Sequence, residues 1–236
     1  MEGKMTEFQW ADALDVVKNY TVKITTPGGY GTGFLIAKFE DIVGIATAWH
    51  VIEHATNWHE PIRIQNMLLG NTVMLKAQNR SIHDNPKRDS ALIRFKKTML
   101  KLPDETLPII DIHKRQREGV EIGWCGFPGI VSNILCFFSG RISAWIDQEK
   151  SYLVDGVAIN GVSGGPAFSV ESSEGKLNIK LMGIVTAYIS NVATGKPLPG
   201  VSLIRSINTY LKLFEMLKST TPEASQDTKV DSDSKD

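Results

Sequence analysis

The sequence predicts a mostly β protein whose antiparallel strands close into barrels. Short apolar or alternating runs recur along the chain with the period of strands. Turn-forming clusters separate them: PGGYG, DNP, FPG, SSEG and TGKPLPG. Helical periodicity is scarce, and such a series of short strands with frequent turns is the pattern of closed antiparallel sheets.

Taken in order, the strand-like runs of the first half are VVKNYTVKIT (16–25), GTGFLIAKF (31–39), DIVGIATA (41–48), TVMLKA (72–77) and SALIRF (90–95). Next, KLPDETLPIIDIHKRQREG (101–119) mixes prolines with charge and breaks the pattern, which suits a linker between two β units. The second half continues with VEIGWCGF, ILCFFSGRISAW, YLVDGVAI, GPAFSV, LNIKLMGIVTAYI and GVSLI. One helix is expected over roughly 206–218, where Ile207, Tyr210, Leu211, Phe214 and Leu217 fall on one stripe. Residues 219–236 hold no aromatic side chain and almost nothing apolar, so burial cannot offset the entropy of ordering them, and a disordered tail is expected. The expected units are therefore 1–105, 106–218 and the tail 219–236.

With 236 residues, 42% hydrophobic and 22% charged, the chain can bury a sizeable core. Lys plus Arg equals Asp plus Glu at 26 each, so no global field draws it to nucleic acid or anionic lipid, and a protein or peptide partner is expected. Two cysteines, Cys125 and Cys136, are too few for a disulfide-stapled secreted chain and read as reduced thiols. No apolar run suggests a signal peptide or a membrane span, so a cytoplasmic protein is expected.

Two stretches carry chemistry. HVIEH (50–54) matches H-x-x-E-H, in which two histidines one helical turn apart grip zinc. The apolar, partly β-branched GIATAW before it reads as a strand, after which only about one helical turn is expected. His54 then projects outward as a surface residue, and no metal is expected. NGVSGGPAF (160–168) contains G-x-S-x-G. All five histidines (His50, His54, His59, His83, His113) precede Ser163, whereas a serine on the α/β-hydrolase elbow has its histidine downstream. A serine nucleophile needs an imidazole to take its proton, so the order left is His, Asp, Ser.

GTGFLI (31–36), IATAWHVI (45–52), RDSALIRF (88–95) and GVSGGPAF (161–168) together resemble, in sequence and spacing, the blocks of trypsin-like serine peptidases, most closely the HtrA/Deg branch. GFPG, SGRISA and GIVTAY also look like strands of that family, so the resemblance covers most of residues 20–205. It implies two antiparallel six-stranded barrels of chymotrypsin type with a C-terminal helix, and a serine endopeptidase with no cofactor acting on protein or peptide substrates. His50, Asp89 and Ser163 would form the triad, and the N–H groups of Gly161 and Ser163 the oxyanion hole. Asp84, Asp104 and Asp111 compete with Asp89 for the acidic role, but only Asp89 heads an apolar strand. Val157 and Tyr188 match positions lining the primary substrate pocket; neither is charged, so a small or medium apolar residue before the cut is expected.

Two departures matter. Val162 stands where digestive enzymes keep an aspartate that pairs with a new N-terminus, so activation by that cleavage is not expected; the site is formed from the outset or ordered by a regulatory partner or substrate. No PDZ domain is expected after the final helix and tail, so the assembly of the HtrA/Deg branch is not carried over. The alternative function is a catalytically silent domain of this fold that binds a peptide or protein.

Overall fold

The computed structural model describes residues 7–111, 113–131, 133–173, 176–190 and 197–210. A helix α1 (Glu7–Val17) leads into β1 (Thr21–Thr26), β2 (Gly29–Phe39) and β3 (Ile42–Thr47), after which α2 (Trp49–Asn57) breaks the run of strands. Four more strands complete the first sheet: β4 (Ile62–Asn66), β5 (Asn71–Leu75), β6 (Ser81–Asn85) and β7 (Ser90–Lys96). The second sheet takes β8 (Glu121–Gly126), β9 (Cys136–Ile146), β10 (Ser151–Asp155), β11 (Pro166–Ser173), β12 (Lys176–Ser190) and β13 (Pro197–Ser206).

The second sheet closes into a six-stranded barrel, β10-β13-β12-β11-β8-β9. The first does not match the expected six-stranded barrel. It is an open sheet of seven strands in the order β5-β4-β1-β2-β3-β7-β6. Its edges, β5 and β6, follow one another in the chain yet do not pair, because a 3₁₀ turn at Ala77–Asn79 redirects the chain between them. Arg80 then caps the edge with its side chain, donating to the carbonyls of Leu75 (2.7 Å) and Ala55 (3.1 Å).

Strand alternation follows burial. In β4, Ile62, Ile64 and Asn66 face inward while Arg63 and Gln65 face out or half out. From Gly31 to Ala37, β2 is buried at every position, because it is the middle strand of its sheet and its N-terminal half is also covered by the loop around Ser163. Residues 16–17 belong to α1 rather than to the first strand, and α1 places Trp10 against Phe137 and Phe168 of the closed barrel, with ring centroids 5.5 and 6.0 Å apart.

Among the described residues, no strand or helix forms between Leu100 and Val120 apart from an isolated bridge, Ile109 to Leu181. Helix begins at residues 208–210, with Ile207 and Tyr210 buried; the rest of the expected helix and the expected tail lie outside the described residues. Both cysteines are free, and burial pushes the Cys125 thiol up to about 12, against a weak opposing contact from Thr21. No described helix is long and apolar enough to cross a membrane.

Candidate active site

His50 enters the site from the first turn of α2, directly after β3 ends at Thr47. That helix runs to Asn57, longer than the single turn expected, so His50 and His54 do sit four residues apart on one regular helix. The buried face of α2 is Val51, Ile52 and Ala55, which leaves both imidazoles half exposed. Each ring turns to a different carboxylate. His50 Nδ1 meets Asp89 Oδ2 at 2.9 Å, and His54 Nδ1 meets Glu60 Oε2 at 2.9 Å. Among the described residues no group of three metal-ligating side chains comes together.

Asp89 is placed by its local sequence. In DNPKRD, the Asn85 side chain accepts from the Arg88 N–H, Pro86 starts a 3₁₀ turn, and Asp89 closes it in the left-handed conformation at φ 45°, ψ 49°. That region is one that aspartate tolerates better than most non-glycine residues. The geometry turns both carboxylate oxygens toward His50: Oδ1 accepts from the main-chain N–H at 3.0 Å, and Nδ1 lies 3.1 and 2.9 Å from the two oxygens. A carboxylate can only accept, so Nδ1 carries the proton and Nε2 is left with its lone pair. Asp84, by contrast, sits in the β6 ladder opposite Ala91, and Asp104 meets Lys38 at 3.4 Å.

Ser163 lies half buried in the turn before β11. Around it, four successive carbonyls are engaged. Asn160 O accepts from Gly129 N–H (2.7 Å), Gly161 O from the Thr32 hydroxyl (2.7 Å), Val162 O from Gly165 N–H (2.9 Å) and Ser163 O from Thr32 N–H (2.8 Å). Of the N–H groups in the same stretch, Val162 donates to Ile159 O (3.0 Å) and Gly164 to Val185 O (2.7 Å). The N–H groups of Gly161 and Ser163 donate to no acceptor among the described residues. Because each peptide is trans, an anchored carbonyl sends the following N–H the opposite way. Two unspent donors next to a serine can bind a negatively charged oxygen.

The two halves meet along glycines. Gly164 adopts φ +84°, and a Cβ there would strike the Thr32 carbonyl and the Thr47 hydroxyl and come within 3.0 Å of Ala48 N, two residues before His50. At Gly31 a Cβ would lie 2.6 Å from a Val51 methyl and 3.0 Å from the Ser163 carbonyl. The Ser163 loop thus packs on the strand end and helix turn that present His50, although no hydrogen bond joins Ser163 to His50 among the described residues.

Val162 is buried without exposure, in an apolar setting with no place for an ion pair. Val157 is 46% exposed, and its carbonyl accepts from the indole N–H of the buried Trp124 at 3.1 Å. Tyr188 pairs with Ser202 in the β12–β13 ladder, and its side chain lies outside the described residues. The residue that the motif reading passed over is Thr32. It was visible only as the middle of GTG, a polar side chain between two glycines in an otherwise apolar strand.

A family model described as a trypsin-like peptidase domain matches residues 31–177. Among curated proteins no sequence matches the chain. Similar solved structures include an inactive serine-to-alanine mutant of Rv3671c from M. tuberculosis (TM-score 0.63, 14% identity, covering 95% of this chain and 100% of that one). Deg5 is another (TM-score 0.65, 17% identity, covering 90% and 95%). A third is a serine endoprotease from Yersinia pestis (TM-score 0.65, 20% identity, covering 93% and 69%). The family match spans more than half of the 236 residues, and the chain therefore belongs to the trypsin-like peptidase domain family, a family of serine-type hydrolases.

Proposed function

We propose that the chain is a serine endopeptidase that cuts peptide bonds through His50, Asp89 and Ser163. Ser163 Oγ attacks the carbonyl carbon while Nε2 of His50 takes the hydroxyl proton. The tetrahedral oxyanion is received by the N–H groups of Gly161 and Ser163. As the C–N bond breaks, His50 returns the proton to the departing amine, leaving an acyl-enzyme; water, deprotonated by the same imidazole, then releases the acid. Asp89 keeps the ring in the required tautomer and balances its transient charge.

The observation that carries this reading is the hydrogen-bond pattern of residues 160–164, which leaves the Gly161 and Ser163 N–H groups unspent. The His50–Asp89 pairing and the likeness to a serine endoprotease support it. For the substrate, the uncharged Val157 supports a small or medium apolar residue before the cut, because it offers no charge to pair with a basic side chain seated there.

The rival reading, a silent binding domain, draws on the absent Ser163–His50 hydrogen bond among the described residues. Hydrogen bonds of this kind are often long before substrate binds. A fluorophosphonate probe separates the two. Labelling at Ser163, abolished by Ser163→Ala and weakened by His50→Ala, is the expected result; a wild-type chain that stays unlabelled sinks the enzyme reading. Cleavage of a peptide library with Lys or Arg preferred before the cut would sink the pocket assignment alone.

A further inference from the structure

We infer that Thr32 is the residue that sets the oxyanion loop: a positioning residue on β2 of the open sheet that clasps the Ser163 turn by its hydroxyl and its main-chain N–H. This rests on the reading of Gly161 and Ser163 as the oxyanion donors.

The polarity of the clasp follows from the partners alone. Phe127 N–H can only donate, so the Thr32 hydroxyl oxygen accepts from it at 3.0 Å. The Gly161 carbonyl can only accept, so the single hydroxyl hydrogen goes there, at 2.7 Å. On its main chain, Thr32 donates its N–H to Ser163 O at 2.8 Å and accepts the Thr47 hydroxyl on its own carbonyl at 2.7 Å. Thr32 is fully buried, so no water replaces these partners. One residue thus touches β3 three positions before His50, Phe127 just after β8, and the carbonyls of Gly161 and Ser163, the two residues whose N–H groups are the oxyanion donors.

Gly161 stands at φ +93°, and glycine crosses between backbone regions more readily than any other residue. Its peptide planes therefore need an outside hold. Asn160 O is held by Gly129, and the next carbonyl, Gly161 O, is held by Thr32 and by no other donor among the described residues. With the hydroxyl gone, the plane between Gly161 and Val162 keeps only the bond from the Val162 N–H to Ile159 O (3.0 Å), so the turn at Gly161 loosens and the direction of the neighbouring Gly161 N–H with it. A β-branched threonine fits the task because its χ1 is stiff, so the hydroxyl stays aimed.

The test compares Thr32→Val, which keeps the shape and deletes the hydroxyl, with Thr32→Ser, which keeps the hydroxyl. Thr32→Val should lose kcat by on the order of 100-fold, the scale of one lost oxyanion donor, with KM within about threefold. Its affinity for a peptide aldehyde, which forms an oxyanion on Ser163, should fall in parallel, while affinity for a cleaved product peptide holds. Thr32→Ser should recover most of the turnover. Unchanged kcat in Thr32→Val, a rise in KM alone, or a Thr32→Ser variant as impaired as Thr32→Val would overturn the inference. Should Thr32→Val fail to fold, Thr32→Cys, similar in size and a weak donor, takes its place with the same expected loss. An inert wild type refutes the enzyme reading and not the clasp. The clasp is then read from the Phe127 amide, which should exchange at least tenfold faster in Thr32→Val while remote ladder amides stay put, and an unchanged Phe127 rate overturns it.

Discussion

Asp89 acts on His50 through both oxygens, and the two contacts do different things. The bond to the His50 main-chain N–H fixes where the first turn of α2 begins, and the bond to Nδ1 fixes the tautomer. An asparagine could keep the first through its amide oxygen but would present an NH₂ group to the ring. The imidazole would then accept on Nδ1 and carry its proton on Nε2, where it blocks transfer from Ser163. Asp89→Asn should therefore fold with a melting temperature near that of the parent while kcat drops by on the order of 10⁴-fold, as for the equivalent change in a chymotrypsin-type triad. Steady-state kinetics beside a thermal melt checks this; a variant with kcat within tenfold of the parent would remove Asp89 from the proposed triad.

At the scale of elements, Tyr210 joins the helical turn at residues 208–210 to the first sheet. Its buried hydroxyl donates to Thr47 O at 2.5 Å, and burial holds the phenol well above its ordinary pKa. Thr47 is the register partner of Ala91 at the end of the β3–β7 ladder, so the phenol anchors to the sheet at the point where one strand leads to His50 and the other comes from Asp89. Tyr210→Phe leaves the buried Thr47 carbonyl without its hydroxyl donor and should cost about 1–3 kcal/mol. A lowered urea midpoint is the expected outcome, and a midpoint unchanged from the parent would contradict the anchor. The sequence made Tyr210 legible as part of an apolar stripe but gave no sign of its hydroxyl's partner, Thr47, 163 residues away in the chain. The strands that were legible, such as β2, β3 and β7, are apolar, central strands. β6 was not, because SIHDN is an edge strand with no fully buried residue and so has no alternation to show. α1 hid for a different reason: its stripe of Trp10, Ala13, Leu14 and Val17 is interrupted by acidic residues and runs straight into the polar turn before β1. α2 was read as too short because nothing marks its start, Ala48 offering no side-chain cap.

Over the whole molecule, the four blocks that carry the proposed triad are also where an open sheet and a closed barrel touch, which explains why their glycines were as informative as their reactive residues. Gly31 is the clearest case, since it lies on β2 between a methyl pair of Val51 and the carbonyl of Ser163. It does not have a positive φ, so alanine is acceptable to the backbone and only space forbids it. A Cβ there sits 2.6 and 2.7 Å from the two Val51 methyls and 3.0 Å from the Ser163 oxygen, closer than atoms approach in packed proteins. Gly31→Ala must push α2 and the Ser163 turn apart, and misplacement of reacting groups by about an ångström is enough to cost on the order of 100-fold in rate. Val51→Ala removes the two methyls and opens room on one side. On its own it should cost roughly 2–3 kcal/mol of stability, as a large-to-small change in a buried site does. Placed on Gly31→Ala it should instead restore turnover, a non-additive result that residues in contact produce and independent ones do not. A double-mutant cycle in kcat/KM measures it: additive losses would mean that the two sheets do not meet at Gly31 as described, while recovery in the double mutant ties the rate to the spacing between them.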